Sequence, residues 1–386
     1  MITNGFTYLA FIILFASLIV LAEKKSKGKF FEYVPAIVLL YFVVMLLSTF
    51  KVWQKTDDVN MYYKLVKGNL LPAMIFLMLL RCDLRQIMKL GPKMLLGFFA
   101  ASFSIGVGFI ISYGIFKGMY ESDTWKAFAA LAGSWMGGTG NMAAIQGALN
   151  VSDASMGYTL LIDSIDYSIW VMLLLACVPY AKKFNKWTKT DTRIIDEVGE
   201  QLAASSEETR KNIEFLDLIL LLGSSLFVSA MSQAMAQVLP QTTFLSATTW
   251  AVIIATLAGV ICAMTSLGKR PGSSQISNVM LYTIVGLIAS RANFAELTQA
   301  PLYITAGFVI LGVHAIVLAV VAKIFKLDLF TCGVASLANI GGVASAPILA
   351  AAYSEALIPI GVLMAMMGYI IGTGGGLLIG KILSVM

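Results

Sequence analysis

Charge is the scarcest property of this sequence. Asp, Glu, Lys and Arg make up 12% of its 386 residues, against roughly 25% in a soluble domain. With 59% of the residues hydrophobic, the composition excludes an ordinary soluble fold and indicates an all-α polytopic membrane protein. Histidine is nearly absent: His314 stands alone, so no H-E-x-x-H zinc motif can form. The four cysteines, Cys82, Cys177, Cys262 and Cys332, are scattered without a C-x-x-C spacing. Neither a zinc site nor a disulfide framework is expected from them, and packing is their predicted role. The phosphate-loop pattern G-x-x-x-x-G-K-[ST] does not occur, so primary pumping would need a partner chain. A net charge of +6 sits between apolar runs, where basic residues report topology and not nucleic-acid binding.

What the chain has instead is long apolar runs. Ten span lengths are predicted, at about 6–22, 33–50, 69–81, 94–116, 154–180, 215–237, 244–267, 276–290, 301–322 and 356–380. The first is preceded by no basic residue and followed by Lys24, Lys25, Lys27 and Lys29. That order is the reverse of a signal peptide's and predicts a retained span with its N-terminus outside. Trp53, Trp125 and Trp187 fall near span ends, as interfacial anchors do.

Two further apolar segments, about 125–150 and 330–353, are interrupted by glycine. The first reads Ala132-Gly-Ser-Trp-Met-Gly-Gly-Thr-Gly-Asn-Met-Ala143 and the second Ser336-Leu-Ala-Asn-Ile-Gly-Gly-Val-Ala-Ser-Ala-Pro347. Their glycine pairs, Gly137-Gly138 and Gly341-Gly342, coincide at an offset of 204 residues, which also aligns Gly157 with Gly361. A glycine pair among small polar residues frees backbone groups from the helix ladder. In hydrocarbon those groups persist only where protein, ligand or water covers them. Matching breaks in two halves point to the binding site of a secondary transporter.

Either each broken segment crosses the membrane or each enters and returns as a hairpin. With hairpins, every half has five crossings and the second half is inverted. The loops at 24–29, 81–93, 181–211, 269–270 and 323–326 then share one side and hold 19 of the 27 Lys and Arg residues. The positive-inside rule favours that arrangement. The expected fold is two inverted five-span repeats, each with a glycine-broken re-entrant hairpin, giving about ten spans and two hairpins. Residues 1–180 form the first repeat, 181–213 a cytoplasmic linker and 214–386 the second, with both termini outside. The stretch from Asp191 to Glu208 suits a short surface helix.

The runs Gly133-Ser-Trp-Met-Gly-Gly-Thr-Gly-Asn141 and Leu337-Ala-Asn-Ile-Gly-Gly-Val-Ala-Ser345 resemble a bacterial and plastid membrane family known as domain of unknown function 819. The resemblance covers essentially the whole chain. More distantly, the topology and glycine motifs are similar to those of sodium/glutamate symporters. That likeness implies a cation-coupled carrier for small organic anions, a homodimer with an elevator-type movement, in a bacterial inner membrane. Neither motif contains a histidine, a departure from the symporters that speaks against glutamate itself.

Asp163 and Asp166 are the acidic residues that fall well inside a predicted span. At i, i+3 they share a helix face, and a carboxylate within a span is a functional-site hypothesis by default. The 204-residue offset pairs them with Met367 and Ile370, so they belong to one half alone. The competing reading places them near a membrane surface or neutral in the bundle. As a site they suit sodium, a hard cation that takes oxygen ligands, or a shared proton. Thr139, Asn141, Asn339 and Ser345 are candidate neighbours. For the solute, Gly137, Gly138, Gly140, Gly341 and Gly342 permit close backbone approach. Half-helix N-termini attract anionic groups, and the two asparagines offer donors and acceptors. The plainer reading of these glycines is tight helix packing, as it is for the Gly372-Thr-Gly-Gly-Gly376 run. His314 is expected to be a packed, hydrogen-bonded residue. The expected ligands are thus a small anionic solute (an amino acid, a dicarboxylate or a short peptide) and a coupling cation, with no further cofactor and no enzymatic activity. The alternatives are a channel or sensor without coupled turnover and, lower in rank, an intramembrane hydrolase.

Overall fold

The computed structural model describes residues 1–26, 30–33, 36–190, 212–242, 245–292 and 300–386; the run from Asp191 to Glu208 lies outside them. Its elements are helical. The first half holds α1 (Gly5–Lys25), α2 (Ala36–Thr49), α3 (Asp57–Leu79), α4 (Gly91–Phe116), α5 (Thr124–Gly137), α6 (Thr139–Leu149) and α7 (Asp153–Cys177). The second holds α8 (Phe215–Ala236), α9 (Ala247–Ala263), α10 (Ser273–Ala289), α11 (Ala300–Phe325), α12 (Leu329–Ile340), α13 (Gly342–Tyr353) and α14 (Ile358–Ser384). Among the described residues, six stretches built on α1, α4, α7, α8, α11 and α14 are long and apolar enough to cross a membrane, and α2, α9, α10, α12 and α13 are shorter apolar helices. The chain is a polytopic integral membrane protein.

Polar side chains start several of these helices by satisfying backbone N–H groups that have no partner inside the helix. Asn4 Oδ1 accepts from Thr7 N at 2.9 Å and Asp328 Oδ1 from Thr331 N at 2.7 Å. Ser152 and Ser246 cap α7 and α9 at 3.2 Å each. Glu214 and Asp217 form a reciprocal capping box at the start of α8. The second helices of the broken segments differ: α6 follows Gly138 and α13 follows Gly341, and neither has a side-chain cap.

Each broken segment folds back on itself. A Cβ on Gly133 would collide with Ile145 Cδ1 and one on Gly333 would lie 3.1 Å from Leu349 Cδ2. Such contacts across twelve and sixteen residues require the two helices to lie side by side. The turn at the first tip is one residue, Gly138, at φ +86°, a conformation open to glycine and costly to residues with a Cβ. Gly342, at φ +58°, has the same need at the second tip.

The last helix is built for close approach. Gly368, Gly372, Gly376 and Gly380 recur every fourth residue along α14 and so form one stripe. A Cβ at Gly372 would stand 2.8 Å from Gly137 Cα, and one at Gly376 2.8 Å from both Ala129 O and Gly133 N. The stripe therefore lets the backbone of α5 lie directly on α14, the small-residue packing used between membrane helices. The packing expectation for the Gly372–Gly376 run holds. For cysteine, Cys82 and Cys332 are buried, as packing residues are, whereas Cys177 and Cys262 are half-buried.

Trp53 departs from the anchoring role. It is only 4% exposed, its ring meets Tyr8 edge-on at 5.9 Å, and Nε1 donates to Ser290 O at 2.9 Å. An indole N–H buried in apolar surroundings needs an acceptor, and here the acceptor lies in the other half of the chain. Trp187, at 46% exposure, keeps a surface position.

Candidate functional site

The two hairpin tips meet at one cavity of about 350 Å³. Gly138, Thr139 and Gly140 border it from the first tip, and Ile340, Gly341, Gly342, Val343 and Ala344 from the second. Ser134, Asp163 and Tyr167 close one side, and Glu23, Met78, Asn278, Tyr282 and Tyr369 contribute from α1, α3, α10 and α14. The uncapped N-termini of α6 and α13 therefore open onto the same space. Their free N–H groups carry partial positive charge and suit an anionic oxygen.

Asp163 is the best-defined polar group in that wall. Its Oδ1 accepts from Ser134 Oγ and from Trp135 Nε1, each at 3.0 Å. Both donors belong to the last turn of α5, so the hairpin itself orients the carboxylate. Oδ2 has no hydrogen-bond partner among the described residues. The carboxylate thus has one oxygen locked and the other left for a ligand. Among the described residues no Lys or Arg lines the cavity, whereas Glu23 and Asp163 do.

Asp166 takes a different position from its neighbour. Residues three apart on a helix differ by about 60° in direction, enough here to separate the two carboxylates. Asp166 is buried, its carboxylate lies against Gly307 of α11, and both oxygens lack hydrogen-bond partners among the described residues. It does not border the cavity. Unpaired buried charge is costly, so this carboxyl is a second place where a proton or cation has much to offer.

Both asparagines point away from the cavity. Asn141 Nδ2 donates to Gly137 O at 2.6 Å, covering a carbonyl at the end of α5, and its Oδ1 accepts from Thr373 Oγ1 of α14 at 2.6 Å. Asn339 Nδ2 donates to Ala335 O at 2.9 Å, and its Oδ1 accepts from Ser102 Oγ of α4 at 2.7 Å. Each amide ties a hairpin to a neighbouring helix, a role the sequence reading had not assigned. Ser345 is buried and packs against Gly341 and the Tyr167 ring. Gly137 is pressed against the Gly368 carbonyl, which leaves Gly138, Thr139, Gly140, Gly341 and Gly342, with Asp163, as the predicted residues in the wall. Ser134, Trp135, Tyr167 and Glu23 went unselected in sequence. The first two lie in the quoted glycine motif, and that adjacency was the available signal.

His314 sits in a directed chain of hydrogen bonds away from the cavity. Trp170 Nε1 donates to Ser336 Oγ at 2.8 Å, which lies 2.8 Å from His314 Nε2. His314 Nδ1 is 2.7 Å from Ser104 Oγ, which donates to Ala101 O at 2.8 Å. Each hydroxyl has one proton. Ser104 directs its proton to Ala101, so Nδ1–H donates to Ser104 and Nε2 accepts from Ser336. The network assigns a neutral ring and joins α7, α12, α11 and α4, in line with the packed role expected. His314→Phe keeps the bulk but leaves the Ser336 proton without its acceptor, while Ser104 keeps its bond to Ala101 O. It is expected to cost about 1–3 kcal/mol, read as a lowered Tm in detergent, with ligand and ion responses unchanged.

Fold and site together define a polytopic helical membrane protein whose two glycine-broken hairpins meet at an acidic, solute-sized cavity. The chain belongs to the family described as "Protein of unknown function (DUF819)", whose profile matches residues 10–386. It is similar to the "Uncharacterized membrane protein YjcL" of Bacillus subtilis (strain 168), with 23% identity over 342 residues, 83% of each chain.

Proposed function

We propose that the protein is a cation-coupled secondary active transporter of a small anionic organic solute, such as an amino acid, a dicarboxylate or a short peptide. The observation that carries this reading is the meeting of both hairpin tips and Asp163 at one cavity. Broken-helix ends that converge on a buried cavity are how membrane carriers hold solutes and ions. The cavity's 350 Å³ lies at the small end of the range for ligand pockets.

Charge supplies the case for coupling. An anionic solute entering this space meets helix N-termini, but also Glu23 and Asp163, with no basic side chain among the described residues of the wall. A cation held by Asp163 Oδ2 would remove the repulsion, so solute and cation would bind better together than apart. Ser134, Thr139 and freed backbone carbonyls suit a sodium ion's preference for oxygen. Here the ion is cargo, moved along with the solute.

The reading includes the inverted five-span repeats over 1–180 and 214–386, a homodimeric elevator cycle, an inner-membrane location and both termini outside. Topology has its own check. A cysteine introduced at exposed Lys186 is expected to resist impermeant thiol reagents in intact cells and to react in inverted vesicles. Labelling from outside would overturn the inverted arrangement.

Function is tested by thermal stability of the purified protein against amino acids, dicarboxylates and short peptides, with and without sodium and at two pH values. A solute that stabilises only with sodium is the expected result. Stabilisation that follows pH instead would assign the coupling to protons. No response to any solute or ion would remove the carrier reading.

A further inference from the structure

A second polar cavity, about 770 Å³, opens where helix ends gather at one pole of the bundle. Arg81 and Asp83 line it beyond the end of α3, and the loop Gly268-Lys-Arg-Pro-Gly-Ser-Ser-Gln275 leads into α10. Gly272 takes φ +106° just before α10 and provides no side-chain cap. The first N–H groups of this 17-residue helix therefore lack a side-chain acceptor.

The side chains around that helix start are donors. Ser273 is only 5% exposed, borders the cavity, and its hydroxyl makes no hydrogen bond among the described residues. That hydroxyl therefore has its proton to give to a group bound in the cavity. Arg81 and Lys269 also border it and have no hydrogen-bond or ion-pair partner among the described residues. Other charges nearby are already engaged. Arg270 Nη1 meets Asp217 Oδ1 at 2.8 Å, and Asp83 is held by Arg85 through contacts of 2.9 and 2.8 Å. What remains free is a helix N-terminus, the Ser273 hydroxyl, a guanidinium and an ammonium, a donor set that matches a tetrahedral oxyanion. The opposite wall, with Val362, Leu363 and Met366 of α14, is apolar.

We propose that this cavity is a binding site for a phosphate group, distinct from the cavity between the hairpin tips and independent of whether the protein transports a solute. The phosphate can come from free phosphate or from an anionic phospholipid headgroup whose glycerol end rests on the apolar wall.

Two probes distinguish the sources. Inorganic phosphate is titrated onto detergent-purified full-length protein, and phosphatidylglycerol is compared with phosphatidylcholine in mixed micelles, with thermal stability and native mass spectrometry as readouts. Arg81→Gln and Lys269→Gln each remove a charge-assisted contact and are expected to weaken binding about tenfold. Ser273→Ala is expected to weaken it several-fold, and Lys126→Gln, at an exposed ion pair with Asp123, to leave it unchanged. Lys269 is exposed, so its variant reports on binding even where another fails to fold. Phosphate binding that falls in the variants supports a site filled by free phosphate. A preference for phosphatidylglycerol that the variants abolish supports the lipid. No binding of phosphate up to about 10 mM together with no lipid preference, or binding equal in wild type and variants, overturns the proposal.

Discussion

Asp163→Asn is expected to remove about half or more of the sodium-dependent part of solute stabilisation while leaving the fold intact. The amide oxygen can still accept from Ser134 Oγ and Trp135 Nε1, the two contacts that hold the native carboxylate at 3.0 Å. What disappears is the negative charge at Oδ2, which faces the cavity. Loss of a charged ligand is worth about 1.5–3 kcal/mol, or roughly ten- to hundredfold in apparent sodium affinity. For a ligand at 100 times its Kd the linkage term is about 2.7 kcal/mol, and a ten- to hundredfold loss of affinity leaves about 1.4 to 0.4 kcal/mol of it, so the Tm rise seen in wild type should fall by about half or more. Asp166→Asn is the comparator. Its carboxyl lies against Gly307 and not in the cavity wall, so sodium-dependent stabilisation is expected to survive. Equal loss in both variants would place Asp166 in the cation site alongside its neighbour. Unchanged ion dependence in Asp163→Asn, with its unfolding still cooperative, would sink the assignment of Asp163 as the cation ligand.

Much of this architecture is legible in one dimension because hydrocarbon imposes a simple rule on sequence: apolar runs become helices, and breaks need a reason. The ten predicted spans each find a helix, with ends shifted by a few residues. The span predicted at 69–81 is the exception in extent, since α3 begins at Asp57. Its first turns carry Asp57, Asp58, Lys64 and Lys67, which hydropathy excludes but helix propensity accepts. The glycine pairs locate both hairpin tips, because a turn as tight as the one at Gly138 has few other chemical solutions.

Side-chain direction is where legibility ends. Asn141 and Asn339 stand beside the glycine pairs and have the right chemistry for a solute. Their partners, Thr373 and Ser102, lie 232 and 237 residues away, and nothing local announces them. Glu23 reads as the polar end of the first apolar run, yet tertiary packing brings it to the cavity. Asp163 and Asp166 share a helix face by spacing. A turn of about 60° nonetheless gives one to the hairpin tips and the other to α11. Trp53 reads as an interfacial anchor until a carbonyl from the other half captures its N–H. In each case a long-range contact decides, and residue type only narrows the choice.

The glycine stripe of α14 carries the other large effect, since it separates packing from flexibility within one helix. Gly374 and Gly376 are two residues apart and face different surroundings. A Cβ at Gly374 would meet nothing within 4 Å, whereas one at Gly376 would stand 2.8 Å from Ala129 O and 2.8 Å from Gly133 N, both backbone atoms of α5. Backbone cannot rotate aside as a side chain can, so α5 and α14 must move apart. Gly376→Ala is therefore expected to cost about 1–3 kcal/mol or more from overpacking. Because α5 also presents Ser134 and Trp135 to Asp163, the same displacement should weaken ion-dependent stabilisation. Gly374→Ala relieves a helix-interior glycine, whose penalty relative to alanine is about 0.8–1.0 kcal/mol, and is expected to be neutral or to raise the Tm. Thermal unfolding of the two variants side by side tests both statements. A fall in Gly374→Ala as large as that in Gly376→Ala would mean that the helix needs its glycines for bending, and that contact with α5 is not their purpose.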